Sequence, residues 1–205
     1  MTYLAIGAVD GCASSSATAG AARSVGSAAR GGRRRSITSA TVILAIDPGT
    51  TQSGWVLLDG SRILDAAIED NAAVRARLRD WHDGARVGEV PFLGAVVIER
   101  IEPRYGLRMG WETIRTCELV GALCEATGPL PVALLTRSSI LRHLGVAIRG
   151  SADSGVRAAL MDRWGGAASV RKGGPLAGIR THLWAALAVG VTWAEAPGLA
   201  EAVER

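Results

Sequence analysis

Short apolar runs separated by polar breaks dominate residues 41–196, and their spacing predicts strands first and helices later. Val42–Ile46 is an uninterrupted apolar run of strand length, closed by the turn Asp47-Pro48-Gly49-Thr50-Thr51. Gly54–Leu58 is a second strand. Asp59-Gly60 is a hairpin signal, and Arg62–Ile68 completes an antiparallel meander. Asn71–His82 is Arg-rich with a helical pattern. Phe92–Ile98 is a fourth strand ending at Glu99, followed by a loop, Arg100–Gly110. Trp111–Thr127 repeats apolar or small residues at Ile114, Cys117, Val120, Gly121 and Cys124, a helical period. Pro131–Leu135 is a fifth strand. Thr136 then stands as an N-cap for a helix over Ser138–Leu144. Further helices are expected at Asp153–Trp164 and Ile179–Ala194, separated by a basic, Gly-rich loop, Val170–Gly178. The order of elements predicts an α/β fold, a mixed five-stranded sheet flanked by helices.

Residues 1–40 break this pattern. They are rich in Ala, Ser and Gly, carry no apolar period and read as a disordered basic tail or leader. A tail that helps hold DNA, an organellar transit peptide and an upstream extension are all compatible with that composition. Residues 197–205 read as a C-terminal tail.

The turn at the end of the first strand changes the picture from architecture to chemistry. If the first and fourth strands are neighbours, Asp47 and Glu99 lie at one edge of the sheet. Hard carboxylate oxygens gathered there suit Mg²⁺ or Mn²⁺. Two such ions clamp an in-line attack on a phosphodiester, one activating water and the other stabilising the leaving oxygen.

Charge then points to the partner. The formal net charge of +4 is carried by residues 1–40, where five arginines face one aspartate, so the remainder is neutral. Within that neutral remainder, Arg137–Arg180 holds eight basic and two acidic residues, the local excess that phosphate binding requires. No apolar run is long enough to span a membrane. Cys12, Cys117 and Cys124 form no metal-binding spacing and read as buried free thiols of a reducing cytoplasm.

Ile46-Asp47-Pro48-Gly49, then Ser53-Gly54-Trp55, then Val97-Ile98-Glu99, then a Leu183–Gly190 helix containing Trp-Ala-Ala-Leu-Ala-Val, resemble the RuvC-type Holliday junction resolvases, particularly their phage-like branch. The resemblance spans Thr41–Trp193. It implies an RNase H-like fold, a homodimer, Mg²⁺ or Mn²⁺ (two per site) and paired nicking of four-way DNA junctions. The implied setting is the nucleoid or a phage-infected bacterial cytoplasm. Asp47 and Glu99 are then metal ligands, and His182 fits a variant in which histidine joins the site. The helix bearing Cys117 and Cys124 is then expected to help form the dimer. Where the family carries a second acidic residue on the last helix, this chain has Ala185. The third ligand is therefore His182, a substitute such as Asp153, or absent. Arg100, Arg104, Tyr105 and Arg108 in the loop after Glu99, with Arg171, Lys172 and Arg180, are the expected DNA contacts: arginines for phosphates and one aromatic ring for a base. Glu102 is either a secondary ligand or a partner for Arg104.

Other functions remain in view. Ala185 also suits a non-cleaving junction-binding protein with a decayed site. An RNase H-like nuclease of RNA–DNA hybrids or flaps is another reading. Asp47-Pro48-Gly49-Thr50-Thr51 further looks like the phosphate hairpin of ATP-binding sugar kinases and actins. That superfamily closes two such domains around its nucleotide, and a second Asp-x-Gly hairpin is missing here.

Overall fold

The structure is a computed structural model. It describes residues 42–87, 93–102, 110–147 and 152–203. Residues 1–40 and the expected DNA contacts Arg104, Tyr105 and Arg108 lie outside the described residues. Strands β1 (Val42–Asp47), β2 (Gln52–Asp59) and β3 (Arg62–Asp70) form the antiparallel meander, and α1 (Asn71–Val87) follows. Then come β4 (Leu93–Arg100), α2 (Trp111–Ala126), β5 (Val132–Thr136), α3 (Arg137–His143), α4 (Ala152–Arg163), α5 (His182–Glu195) and β6 (Glu201–Ala202). The sheet order is β3-β2-β1-β4-β5-β6, with β1, β4 and β5 mutually parallel. The first and fourth strands are neighbours, as the Asp47–Glu99 argument needs. A sixth strand joins the expected five. It pairs antiparallel to β5 through Ala133 and Leu134 and comes from the segment read as a tail.

Strand alternation divides the core into two layers. Ile43, Ala45, Val97, Ala95, Ala133 and Leu135 face α3, α4 and α5. Leu44, Ile46, Val96, Ile98 and Val132 face α1 and α2. On α2 the buried side is Thr116, Leu119, Val120, Leu123 and Ala126. This corrects the expected stripe: Ile114, Cys117 and Gly121 point outward, and only Val120 belongs to both sets. Cys117 is thus an exposed thiol, not a buried one, and Cys124 is half-buried. The sequence period was misleading because small residues recur on the outer face while Leu119 and Leu123 do the packing.

Helix α5 is apolar nearly all round, with nine buried residues from Leu183 to Thr192, because it lies flat across β1 and β2. Two glycines set how close it comes. A Cβ on Gly190 would meet Leu58 Cδ1 at 2.3 Å and Ala45 Cβ at 3.1 Å. A Cβ on Gly54 would meet the His182 carbonyl oxygen at 2.8 Å. Gly54 pairs with Asp47 across the β1–β2 ladder, so the same glycine that admits the start of α5 delivers His182 beside Asp47. The backbone there cannot yield as a flexible side-chain tip would. Gly54→Ala should lower unfolding free energy by about 1–3 kcal/mol, read as a lower urea midpoint at unchanged slope. A midpoint equal to wild type would show that α5 can retreat without cost.

Candidate functional site

Three parallel strand ends build the site. Ile46 lies opposite Ile98 and Glu99 opposite Leu135, so Asp47, Glu99 and Arg137 emerge from β1, β4 and the β5–α3 junction on one side of the sheet. Each ends an apolar series that faces α5: Ile43-x-Ala45-x-Asp47, Ala95-x-Val97-x-Glu99 and Ala133-x-Leu135-x-Arg137. Asp47 and Glu99 are consequently mostly buried, at 16% and 15% side-chain exposure, although both are carboxylates. They line one open cleft of about 610 Å³ with Arg137, Asp153, Arg157, Thr181, His182 and Ala185.

His182, the first residue of α5, places Nδ1 2.9 Å from Asp47 Oδ2. Thr181 before it has φ 38°, the one non-glycine residue with positive φ among the described residues. That conformation costs on the order of 1–3 kcal/mol and is held where the long loop after α4 turns into the cleft. Below the carboxylates, Asn71 fixes the Asp47-Pro48-Gly49 turn. Its Nδ2 donates to the Gly49 carbonyl at 3.0 Å, its backbone N–H donates to Thr51 O, and its Oδ1 accepts from the buried Ser53 hydroxyl at 2.7 Å.

The electrostatics are those of charges held out of water. Burial raises the Asp47 carboxyl above its ordinary value, and the hydrogen bond from His182 opposes that rise. Burial, followed by the negative charge of Asp47, pushes Glu99 up to about 7, against the pull of Arg137. Glu99 Oε2 is buried without a hydrogen bond and has only the Arg137 guanidinium 3.5 Å away. Arg137 also pairs with Asp153 across the cleft rim.

The expected site residues do not all meet at the cleft. Asp47, Glu99 and His182 are brought together. Asp153 reaches the same cleft from the first turn of α4, but it is 91% exposed and bound to Arg137. Arg171, Lys172 and Arg180 are exposed in the loop between α4 and α5. Arg100 turns to Glu201 of β6, with a 2.8 Å hydrogen bond. Glu102 accepts from Ser138 at 2.6 Å. Two cleft residues escaped the sequence reading as site residues, Arg137 and Arg157, the latter stacked on the Trp184 ring at 5.3 Å. Both were visible only as part of a basic stretch. The signal for Arg137 was its parity with Ala133 and Leu135, continued past the strand end.

A mixed sheet with this strand order, helices on both faces and two carboxylates at adjacent parallel strand ends is an RNase H-like α/β fold. Among solved structures the chain is similar to RuvC of Thermus thermophilus in complex with a Holliday junction substrate, with TM-score 0.54, 20% identity, and coverage of 80% of this chain and 99% of that one. It is similar also to a second structure of Thermus thermophilus RuvC, with TM-score 0.53, 20% identity, and 80% and 100% coverage. At that identity the likeness is one of fold. No protein-family model and no curated protein matches the sequence.

The raised Glu99 carboxyl has a consequence for stability. A carboxyl whose value rises on folding favours the folded state below its ordinary value of 4.5, and that contribution is lost as pH rises through about 7. Glu99→Gln, which cannot ionise, should therefore stabilise the metal-free protein at pH 8 by on the order of 2 kcal/mol. The gain should shrink to a fraction of that near pH 5. Thermal melts in chelator at the two pH values decide it, and an equal shift at both would show that Glu99 is not held against ionisation.

Proposed function

We propose that this chain is a divalent-metal-dependent endonuclease that nicks four-way DNA junctions as a homodimer. The observation that carries the reading is the convergence of Asp47, Glu99 and His182 at one cleft on an RNase H-like sheet. The residues fit a hard cation. Glu99 Oε2 is buried and lacks a hydrogen bond, and burial holds the two carboxyls above their ordinary values. Asp47 and Glu99 would hold Mg²⁺ or Mn²⁺, with water completing the shell. Bound there, the ion supplies Lewis-acid charge for phosphodiester hydrolysis and makes a bound water more acidic.

The chain's own side chains do the rest. Glu99 releases its proton on loading, so cation affinity rises with pH toward neutrality. His182 is oriented through Nδ1 by Asp47, which leaves Nε2 to take the proton of the attacking water. Arg157 at the cleft, with Arg171, Lys172 and Arg180 on the neighbouring loop, suits the backbones of a branched duplex, where phosphate contacts give register. The outward side of α2 supports the dimer: Trp111 is 63% exposed and Ile114 and Cys117 lie on the surface with it.

Cleavage of a synthetic four-way junction tests the reading. Wild type with Mg²⁺ or Mn²⁺ should give paired nicks near the branch point and spare linear duplex and RNA–DNA hybrid. Asp47→Asn should slow nicking by more than about a hundredfold while junction binding survives. Tight junction binding with no metal-dependent nicks by wild type would instead establish the reading that Ala185 motivates, a protein that holds junctions without cutting them.

A further inference from the structure

Nuclease sites that use two divalent ions set them about 3.5–4 Å apart, with carboxylates bridging and flanking them. This cleft is short of carboxylates and already holds a cation. Among the described residues no cluster of three or more His, Cys, Asp or Glu side chains is arranged to cage a metal. Ala185 lies one turn beyond His182 on the same side of α5, lines the cleft, and offers only a methyl group. Asp153, the remaining carboxylate of the cleft, is on the rim and committed to Arg137. Meanwhile the Arg137 guanidinium lies 3.5 Å from Glu99 Oε2.

From these placements we infer that the site takes a single divalent cation per chain and that Arg137 is the fixed second positive charge, seated on Glu99 where another metal would otherwise bind. The inference rests on the nuclease reading for what the site does to DNA, but its content is the cation count and the role of Arg137.

Charge balance supports it. Asp47, Glu99 and Asp153 against Arg137 and Arg157 leave the cleft with one net negative charge. One divalent ion and one phosphodiester bring it to neutrality. A second divalent ion would leave two uncompensated positive charges in a partly buried site, an arrangement that a protein stabilises only with more carboxylates. Arg137 is also pre-positioned by backbone: it continues the β5 series and begins α3, whose cap is Thr136, with Oγ1 accepting from Ser139 N at 3.2 Å. A guanidinium held in that way presents planar N–H donors to a phosphate oxygen, as an ammonium or a metal cannot. Arg137 thus compensates Glu99 before substrate arrives and meets the phosphate when it does.

The test counts metal without DNA. Metal-free full-length protein is titrated with Mn²⁺, and free Mn²⁺ is read by electron paramagnetic resonance, for wild type, Arg137→Gln and Arg137→Lys. Wild type should bind one Mn²⁺ per chain tightly. Arg137→Gln removes a repelling charge next to the ion, so Mn²⁺ should bind about tenfold more tightly, while junction nicking falls by about a hundredfold. A merely structural role for Arg137 would not move these two readouts in opposite directions. Arg137→Lys, which keeps the charge, should return Mn²⁺ affinity toward wild type and confirm that the Gln variant is folded and loaded. Two tightly bound ions in wild type, no bound ion, or unchanged Mn²⁺ affinity in Arg137→Gln overturns the inference. If wild type binds one ion and nicks no junction, the nuclease reading fails and the cation count stands. If it nicks junctions with two ions bound, the reverse holds.

Discussion

The close seating of α5 on β1 and β2 is the constraint on which the rest of this molecule depends. A helix that buries residues Leu183 to Thr192 against two central strands covers the face from which Asp47 and Glu99 emerge. The same packing that excludes water from the core therefore removes water from the two carboxylates. Their raised values are the electrostatic cost of that arrangement, set by burial in both and, for Glu99, by the negative charge of Asp47. Glycine at 54 and 190 permits the approach. A side chain at 54 would run into the backbone of His182, and one at 190 into Leu58 and Ala45. Stability and chemistry are thus coupled through one interface: loosening α5 would hydrate the carboxylates and move the histidine together.

Much of this was legible in the chain. The apolar runs ending at Asp47 and Glu99 located both strand ends, because a buried parallel strand needs continuous apolar residues and a polar one stops it. The pairing of β1 with β4 was the condition on which the Asp47–Glu99 argument stood, and the strand order meets it. Thr136 as a cap was readable because a hydroxyl before a helical period has few other uses. The resemblance carried by Asp47-Pro48-Gly49, Ser53-Gly54-Trp55 and Glu99 led to the same sheet edge, and the structural similarity to RuvC agrees with it at the level of fold.

What was not legible depends on three-dimensional neighbours. Periodicity gave α2 a helical face but set it askew, since Ile114, Cys117 and Gly121 face outward, Val120 and Cys124 pack on the core, and Leu119 and Leu123 fill it. Asn71 carried no signal at all. Its importance lies in three hydrogen bonds to a turn about twenty residues earlier, which no local pattern encodes. Arg100 and Arg137 looked alike, as arginines near strand ends. The sheet separates them: strand parity sends Arg137 into the cleft, and Arg100 is drawn off to Glu201 on a strand too short to foresee.

The difference between those two arginines bears on how the absence of a carboxylate at Ala185 should be read. An acidic site that simply lost a ligand would leave its remaining carboxylates without compensating partners. Here Asp47 faces His182, Glu99 faces Arg137, and Arg137 is shared with Asp153. Each negative group has a positive or proton-bearing neighbour: His182 of α5 serves Asp47, and Arg137 at the β5–α3 junction serves both Glu99 and Asp153. Such pairing lowers the cost of holding the remaining carboxylates out of water, because an unpaired buried charge costs several kcal/mol. Glu99 is still a carboxylate, still buried, and still has an oxygen without a hydrogen bond. The cation proposed for this cleft would relieve that penalty, part of which the Arg137 guanidinium beside Glu99 already offsets.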